Sequence, residues 1–525
     1  MGFRSARVVS ALAAVSLLAA ASANATKSPG RVAVDGGRLE FEVRDPEGRP
    51  LVARVRVMPS ALSRLRSGHL RDLYALTNAG NAGLELAAGR YRWVVSHGPE
   101  WSLALGSADV VPGRTLRRRI TLAHEVTLPA YRGADLHVHT RRSRDAQVHG
   151  GVSGKALLAE GVEIAVSTDH NAIGRIESDV ASLAGAEVTT WRPEIGHFNA
   201  FPLQRVPRWR GTTPERLFAE LAAERGVFVQ INHPRLDDHI AYFTLGEFDG
   251  VQFKRAGFNL NVDGVEVWNG YDLASLGSVD KLLRDWRRLC ARGHLLTATG
   301  GSDSHGAAGH HPGYPRTYVE TRSADGLTDA LKAGRAFVTN GPLLELRVHG
   351  SGPGDTAKLD AASELVADLR VLAASWLRVD TLELWADEHV VWTHAIPQPP
   401  KPGPLDFVVQ ARVPIGAART VHAVARGGAG LEALLGRGGV TPLAFTNMVL
   451  LDQHEAPRCT PQRRHGGRES LSVLIPEHGD QGCERKHAAK RGGCVDHAER
   501  GTTPVQSARD WRPVEHHQMY DVCQQ

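Results

Sequence analysis

Five short segments of this chain carry side chains that bind divalent metals at neutral pH. They are Asp135-Leu136-His137-Val138-His139, Thr168-Asp169-His170-Asn171, Glu187 with Gly196-His197-Phe198-Asn199, Asn232-His233-Pro234, and Gly301-Ser302-Asp303-Ser304-His305. Neutral imidazole and carboxylate are ligands for zinc, manganese and iron. Each segment stands at or just after the end of an apolar run. Strand alternation places His137 and His139 on one face. Taken singly, a His-x-His or an Asn-His-Pro is ordinary turn or strand chemistry. Delivered from successive strand ends, the five together point to a metal centre at the mouth of a barrel.

The elements that must position these residues lie between Tyr131 and Gly341. Gly161 to Val166 is an apolar run ending in the Thr-Asp-His segment. Thr213 is a helix N-cap candidate with Pro214 at the first helical position, and Glu215 to Arg225 has helical periodicity. Val227 to Ile231 then leads into Asn232-His233-Pro234. Ser278 to Ala291 reads as a second helix, followed by Leu295 to Thr299 and the Gly-Ser-Asp-Ser-His segment. This alternation predicts parallel strands with crossover helices.

The flanks read differently. Over 30–128 the pattern is β, with Leu39, Phe41 and Val43 alternating with polar residues and a turn at Asp45-Pro46-Glu47-Gly48. After Gly341-Pro342, over 342–452, β patterning returns in Leu343 to Val348, Leu365 to Leu372, Leu382 to Ala386 and Val421 to Val424. Both flanks are expected to be sandwich-like. Residues 1–25 read as a secretory signal peptide, with Arg4 and Arg7, an apolar stretch from Val8 to Ala20, and a small-x-small site at Ala23-Asn24-Ala25. The expectation is an exported protein, periplasmic or secreted, with no transmembrane segment after cleavage. The tail, 453–525, holds four of the five cysteines and shows no strand or helix period. It reads as disordered or as a frameshifted translation. Cys290, alone in the body, is expected to be a small buried hydrophobe.

At 525 residues the chain calls for two or three domains. An apolar fraction of 42% and a charged fraction of 23% are those of an ordinary globular protein. A formal net charge of +5, dispersed in short clusters, does not demand a nucleic-acid partner.

Read in order, the five segments resemble the PHP (polymerase and histidinol phosphatase) metallohydrolases. Gly196-His197-Phe198-Asn199, Val265-Glu266-Val267-Trp268-Asn269-Gly270 and Phe337-Val338-Thr339-Asn340-Gly341-Pro342 resemble its carbaryl hydrolase (CehA/McbA) branch. The resemblance spans residues 136–339. It implies an α/β fold, a PHP-type distorted (β/α)7 barrel over 131–341 between the two β-sandwich-like units. It also implies two to three divalent ions, zinc, manganese or iron. His137, His139, Glu187 and Asp303 would hold the first ion. Glu187 would bridge to a second, held by His197 and His233. Asp145, His170 and His305 would hold a third. The chain has Ser143-Arg144-Asp145-Ala146 where the family commonly has Ser-Asp-Gly, which makes Asp145 the weakest member.

The activity implied is hydrolysis of a small-molecule ester by a metal-bridging hydroxide, the bond being a carbamate, a carboxylic ester or a phosphoester. Asp303 could pass a proton to the leaving group. Asp169 would orient its neighbours. Asn232 and Asn269 would position substrate or fix a loop. Arg316 could bind an anionic substrate or form a strand-end salt bridge. Glu266 shares a strand face with Trp268 and either contacts the site or packs beside it. The alternative reading is a cell-surface binding or scaffold protein that has lost catalysis.

Overall fold

Leu39, Phe41 and Val43 point inward from the strand Gly36–Arg44, while Arg38, Glu40 and Glu42 face outward. In a computed structural model this strand sits between Asn81–Ala87 and Thr115–Thr121 in a three-stranded sheet. The structure describes residues 36–452, apart from 61–72, 148–149, 178, 237–239, 307–310, 360–363, 399–402, 415 and 437. The proposed signal peptide and the cysteine-bearing tail lie outside the described residues. A four-stranded sheet (Leu73–Leu76, Arg54–Pro59, Gly89–Ser96, Ala104–Val110) packs on the first through a common core. Phe41 and Trp93 meet edge-to-face at 5.5 Å in that core. The outward charges pair along the surface, as Arg117–Glu40 at 2.9 Å and Arg119–Glu42 at 3.2 Å. Exposed pairs of this kind contribute little to stability.

The metal-ligand segments are carried by two further sheets. Five strands, Ala186–Thr189, His197–Phe201, Phe228–Ile231, Gly264–Asn269 and Thr297–Gly301, form one of them. Its first two pairings are antiparallel and its last two parallel. Ile164–Ser167 and Tyr131–Val138 belong to an eleven-stranded sheet that also takes in Arg316–Glu320 and Ala336–Thr339. That sheet continues across position 341, where Phe337, Val338 and Thr339 pair with Thr446, Phe445 and Ala444.

This is not the (β/α)7 barrel that the alternating pattern and the family resemblance led us to expect. The described residues form twenty-six strands in five sheets and six α-helices, four of which have six residues or fewer. Only Pro214–Ala223 and Leu276–Ala291 are longer. The physical reason is local. Antiparallel neighbours are joined by short turns and need no crossover helix, so two well-marked helices do not define a repeating unit.

Those two helices form where the sequence places them. Thr213 caps the first, accepting from Arg216 N, with Pro214 at its start. Its Leu217, Phe218 and Leu221 cover Ala186, Val188, Phe198 and Ala200, and Phe198 meets Phe218 at 5.2 Å. The second helix buries Val279, Leu282, Leu283, Trp286 and Leu289. Cys290 is 2% exposed, and burial pushes its thiol up to about 12.

His422 stands in this core, accepting from Arg287 Nε at 2.7 Å. Burial and the adjacent guanidinium hold it well below its ordinary 6.5. The unfolded chain therefore binds the proton more readily. The stabilisation is complete above about pH 6.5 and is lost as pH falls, at about 1 kcal/mol per pH unit. Urea unfolding midpoints measured from pH 7.5 to 5 are expected to fall more steeply for the wild type than for His422→Gln.

Candidate metal centre

All nine candidate ligands converge. On the five-stranded sheet, Ala186 and Val188 face the core, so Glu187 and Thr189 take the opposite face, and Glu187 pairs with Asn199 and Thr189 with His197. His137 and His139 come from the neighbouring sheet, joined to the five-stranded one by single bridges at Val138–Ser304 and His170–Glu187. Asp303 N donates to His137 O at 2.8 Å and His139 N to Ser304 O at 2.9 Å. His233 and Asp303 both adopt the left-handed backbone region, at φ 25° and 49°. Aspartate and histidine enter that region more readily than most residues, at some cost in strain.

Glu187 is the hub. Its Oε1 lies 3.0 Å from His197 Nδ1 and 3.3 Å from His233 Nε2, and accepts from Asn232 Nδ2 at 2.9 Å. Its Oε2 lies 3.0 Å from His170 Nδ1, 3.4 Å from His139 Nε2 and 3.5 Å from His137 Nε2. Asp303 Oδ1 is 3.0 Å from His139 Nε2 and 3.3 Å from His137 Nε2. Asp145, in the 3₁₀ turn Asp145–Gln147, brings Oδ2 within 2.9 Å of both His170 Nε2 and His305 Nε2.

Three overlapping groups result, each with ligand atoms within 4.8 Å of one another: His139, Asp145, His170 and His305; His137, His139 and Asp303; His170, Glu187 and His197. His139 and His170 each belong to two groups, which the sequence did not suggest. The groups fit metal ions. His137 Nε2 and His139 Nε2 are buried and, for all their nearness to Asp303 Oδ1, make no well-directed hydrogen bond, a condition that is costly unless something else satisfies those ring nitrogens.

The electrostatics agree with that use. Burial raises the Glu187 carboxyl, but His170, His197 and His137 outweigh it and hold the group well below the carboxylate range. Asp303 is likewise held low against burial, by His137, His139 and His305. Burial, with His305 and His170 nearby, pushes His139 down to about 3, so it presents a lone pair at neutral pH. Burial disfavours a charged His137 and His170, yet their carboxylate neighbours raise both well above 6.5. A cation must displace those protons, so affinity falls as pH falls.

Arg316 does not join the cluster. It is 1% exposed, and its guanidinium donates to Gly313 O at 2.7 Å, Glu160 O at 2.8 Å and Gly161 O at 3.4 Å. The anion-binding role expected for it is therefore corrected: backbone carbonyls occupy its donors, and no candidate ligand is among its partners. Asp169 holds the loop after His139, accepting from Thr140 N at 2.7 Å, Thr140 Oγ1 at 2.8 Å and Ser143 N at 3.0 Å. Asn232 binds Glu187, and Asn269 Nδ2 donates to Glu266 at 3.0 Å and Asp303 at 3.1 Å. Both asparagines thus orient carboxylates.

Sequence reasoning missed Ser143 and Thr189 and left Glu266 unassigned. Ser143 Oγ meets His139 Nδ1 at 3.0 Å, and Thr189 Oγ1 meets His170 Nδ1 at 2.6 Å. Glu266 Oε1 is 2.9 Å from His137 Nδ1, and its Oε2 accepts from His233 N at 2.9 Å. Strand alternation around Glu187 could have revealed Thr189; nothing local marks Ser143.

No family model matches the chain, and no curated protein matches it. Three solved structures align with short pieces of it. The Bacillus anthracis TIE protein aligns at 14% identity over 21% of this chain and 20% of that one, with a TM-score of 0.15. A streptococcal ancillary pilin aligns at 12% identity over 20% and 36%, with a TM-score of 0.15. A leucine-rich repeat protein from Bacteroides thetaiotaomicron aligns at 17% identity over 20% and 14%, with a TM-score of 0.12. The matches thus cover 14% to 36% of those chains. Likenesses this slight assign neither fold nor function. No helix among the described residues is long and apolar enough to cross a membrane.

Glu266→Gln provides a direct test of the buried support. It keeps the volume but weakens the hold on His137 Nδ1, and such changes lower metal affinity by about 10- to 100-fold. Competition with a fluorescent chelator should register that loss.

Proposed function

We propose that this chain is an exported, metal-dependent hydrolase that cleaves an ester-type bond in a small molecule. One observation carries the reading. Five imidazoles and three carboxylates, Glu187 among them, gather from separate segments in three overlapping groups, with a sixth imidazole, His233, 3.3 Å from Glu187. The order of their motifs resembles the PHP metallohydrolases, and the leader-like residues 1–25 support export. Zinc, manganese or iron suits the donor set, and the overlap of the groups favours two to three ions.

Divalent ions held there would supply Lewis acidity and lower the pKa of water towards neutrality. The protein's own groups do the rest. Asn269 and the adjacent imidazoles fix the Asp303 carboxylate, which is placed to carry a proton to a departing oxygen. Glu187, anchored by Asn232, holds the two halves of the cluster at constant separation. Glu266 and Ser143 set the ring orientations of His137 and His139.

The test combines elemental analysis of gently purified protein with assays on p-nitrophenyl phosphate, bis-p-nitrophenyl phosphate, 1-naphthyl acetate and 1-naphthyl methylcarbamate. Bound zinc, manganese or iron with turnover lost in His137→Ala and Asp303→Asn is expected. Native protein that neither contains nor takes up metal would sink the proposal.

A further inference from the structure

Residues 202–213 connect the strand His197–Phe201 to the helix Pro214–Ala223. That helix covers the face of the five-stranded sheet opposite the metal-ligand cluster. Beside it, residues 205–210 and Glu220 line a cavity of about 490 Å³ that opens to solvent. The connecting segment is fixed in place. Val206 and Trp209 pack against the main core, and Pro207 is buried. Trp191 N donates to Trp209 O at 3.3 Å and Gly211 N to Trp191 O at 3.2 Å. The proposed hydrolysis uses none of these residues.

The charges that line the cavity do not balance. Glu220 is its one carboxylate, against Arg205, Arg208 and Arg210. Arg205 is neutralised, by Glu220 at 3.2 Å and by Glu224 at 2.8 Å. Arg208 and Arg210 form no ion pair with a carboxylate among the described residues. Both are nevertheless oriented. Arg208 Nε donates to Arg210 O at 3.2 Å, and the Arg210 guanidinium lies over the Trp209 ring, 4.5 Å from its centre. A guanidinium held through Nε or through its face keeps its terminal nitrogens for an acceptor, and two such groups suit an anion with several oxygens.

We propose that this cavity is an accessory binding site for a small phosphate monoester, with Arg208 and Arg210 as the groups that hold its phosphate. Two guanidinium charges match the dianionic head, and the volume lies in the range that accommodates a small organic molecule. The site is separate from the metal-ligand cluster and does not depend on the hydrolase reading.

The test is calorimetric titration of the native full-length protein with inorganic phosphate at low salt, with and without a metal chelator. Binding should persist in the chelator, which separates this site from any phosphate held by metal ions. Loss of one charge-assisted contact should weaken it about tenfold in Arg208→Gln and in Arg210→Gln. Glu220→Gln removes the one carboxylate of the lining and releases Arg205 towards the cavity, so affinity should rise, a gain that misfolding cannot imitate. Arg216→Gln removes equal charge from the adjoining helix outside the cavity and should keep the wild-type affinity. Absence of binding, binding that vanishes on chelation, or unchanged affinity in both Arg208→Gln and Arg210→Gln would overturn the proposal. An equal fall in Arg216→Gln would overturn it as well, since the attraction would then be that of overall charge.

Discussion

Glu187→Gln is expected to strip the centre of metal and lower turnover by about three orders of magnitude, the scale seen when a group acting on the transition state is lost. Five imidazoles and one asparagine converge on the two oxygens of Glu187. The carboxylate is 1% exposed and fully ionised at neutral pH. An amide keeps the shape but cannot supply two anionic oxygens, so the group built on His170 and His197 loses its carboxylate, and His137 and His139 lose a neighbouring charge at 3.5 and 3.4 Å. The metal-free protein should be affected as well. Glu187 balances the protonated forms of His137 and His170, and removing one partner of a buried charged set costs about 3–5 kcal/mol. Metal content by mass spectrometry and thermal melting with and without a chelator would measure both effects. A variant that retained its metal and its melting shift would show that Glu187 is not the bridge.

Gly270→Ala should damage the site strongly. A methyl group there would lie 2.9 Å from Ser302 C and 3.2 Å from its Cα, and closer still to the Ser302 carbonyl oxygen. These are backbone atoms one residue before Asp303, whose φ of 49° already departs from the ordinary regions. Asn269, on the other side, holds Asp303 through its side chain. The clash therefore displaces Asp303 relative to both its support and the imidazoles. A loss of about 1–3 kcal/mol in stability is expected, together with weakened metal binding. Gly277→Ala is the matched control. A methyl group there meets nothing within 4 Å, and alanine is the better helix former inside Leu276–Ala291. Its urea midpoint should equal or exceed that of the wild type. Equal midpoints for the two variants would refute the steric argument.

The residues that could do chemistry were legible because metal ligation restricts side-chain type so severely. His137, His139, Glu187, His197, His233, Asp303, His305, His170 and even Asp145, with its altered flanks, come together in space, though between sheets and not at the mouth of a barrel. Both longer helices were legible for the same kind of reason, since capping at Thr213 and the apolar period of Leu276–Ala291 are local signals. Glu266, Ser143 and Thr189 were not assigned, because orienting an imidazole requires only a hydrogen-bonding atom at the right point in space. Arg316 misled because a guanidinium near a ligand motif reads the same whether it meets an anion or three carbonyls.

The amino-acid sequence by itself determined the ligand inventory, its order, and the alternation that puts Glu187 and Thr189 on one face. Only the tertiary structure decided the architecture: separate sheets of mixed direction, joined by single bridges beside the ligands, in place of the (β/α)7 barrel. It also decided that His139 and His170 each serve two groups. The physical reason is one of range. Side-chain type and alternation act within a few residues, whereas strand direction and the pairing of sheets depend on hydrogen bonds between segments that no local pattern specifies.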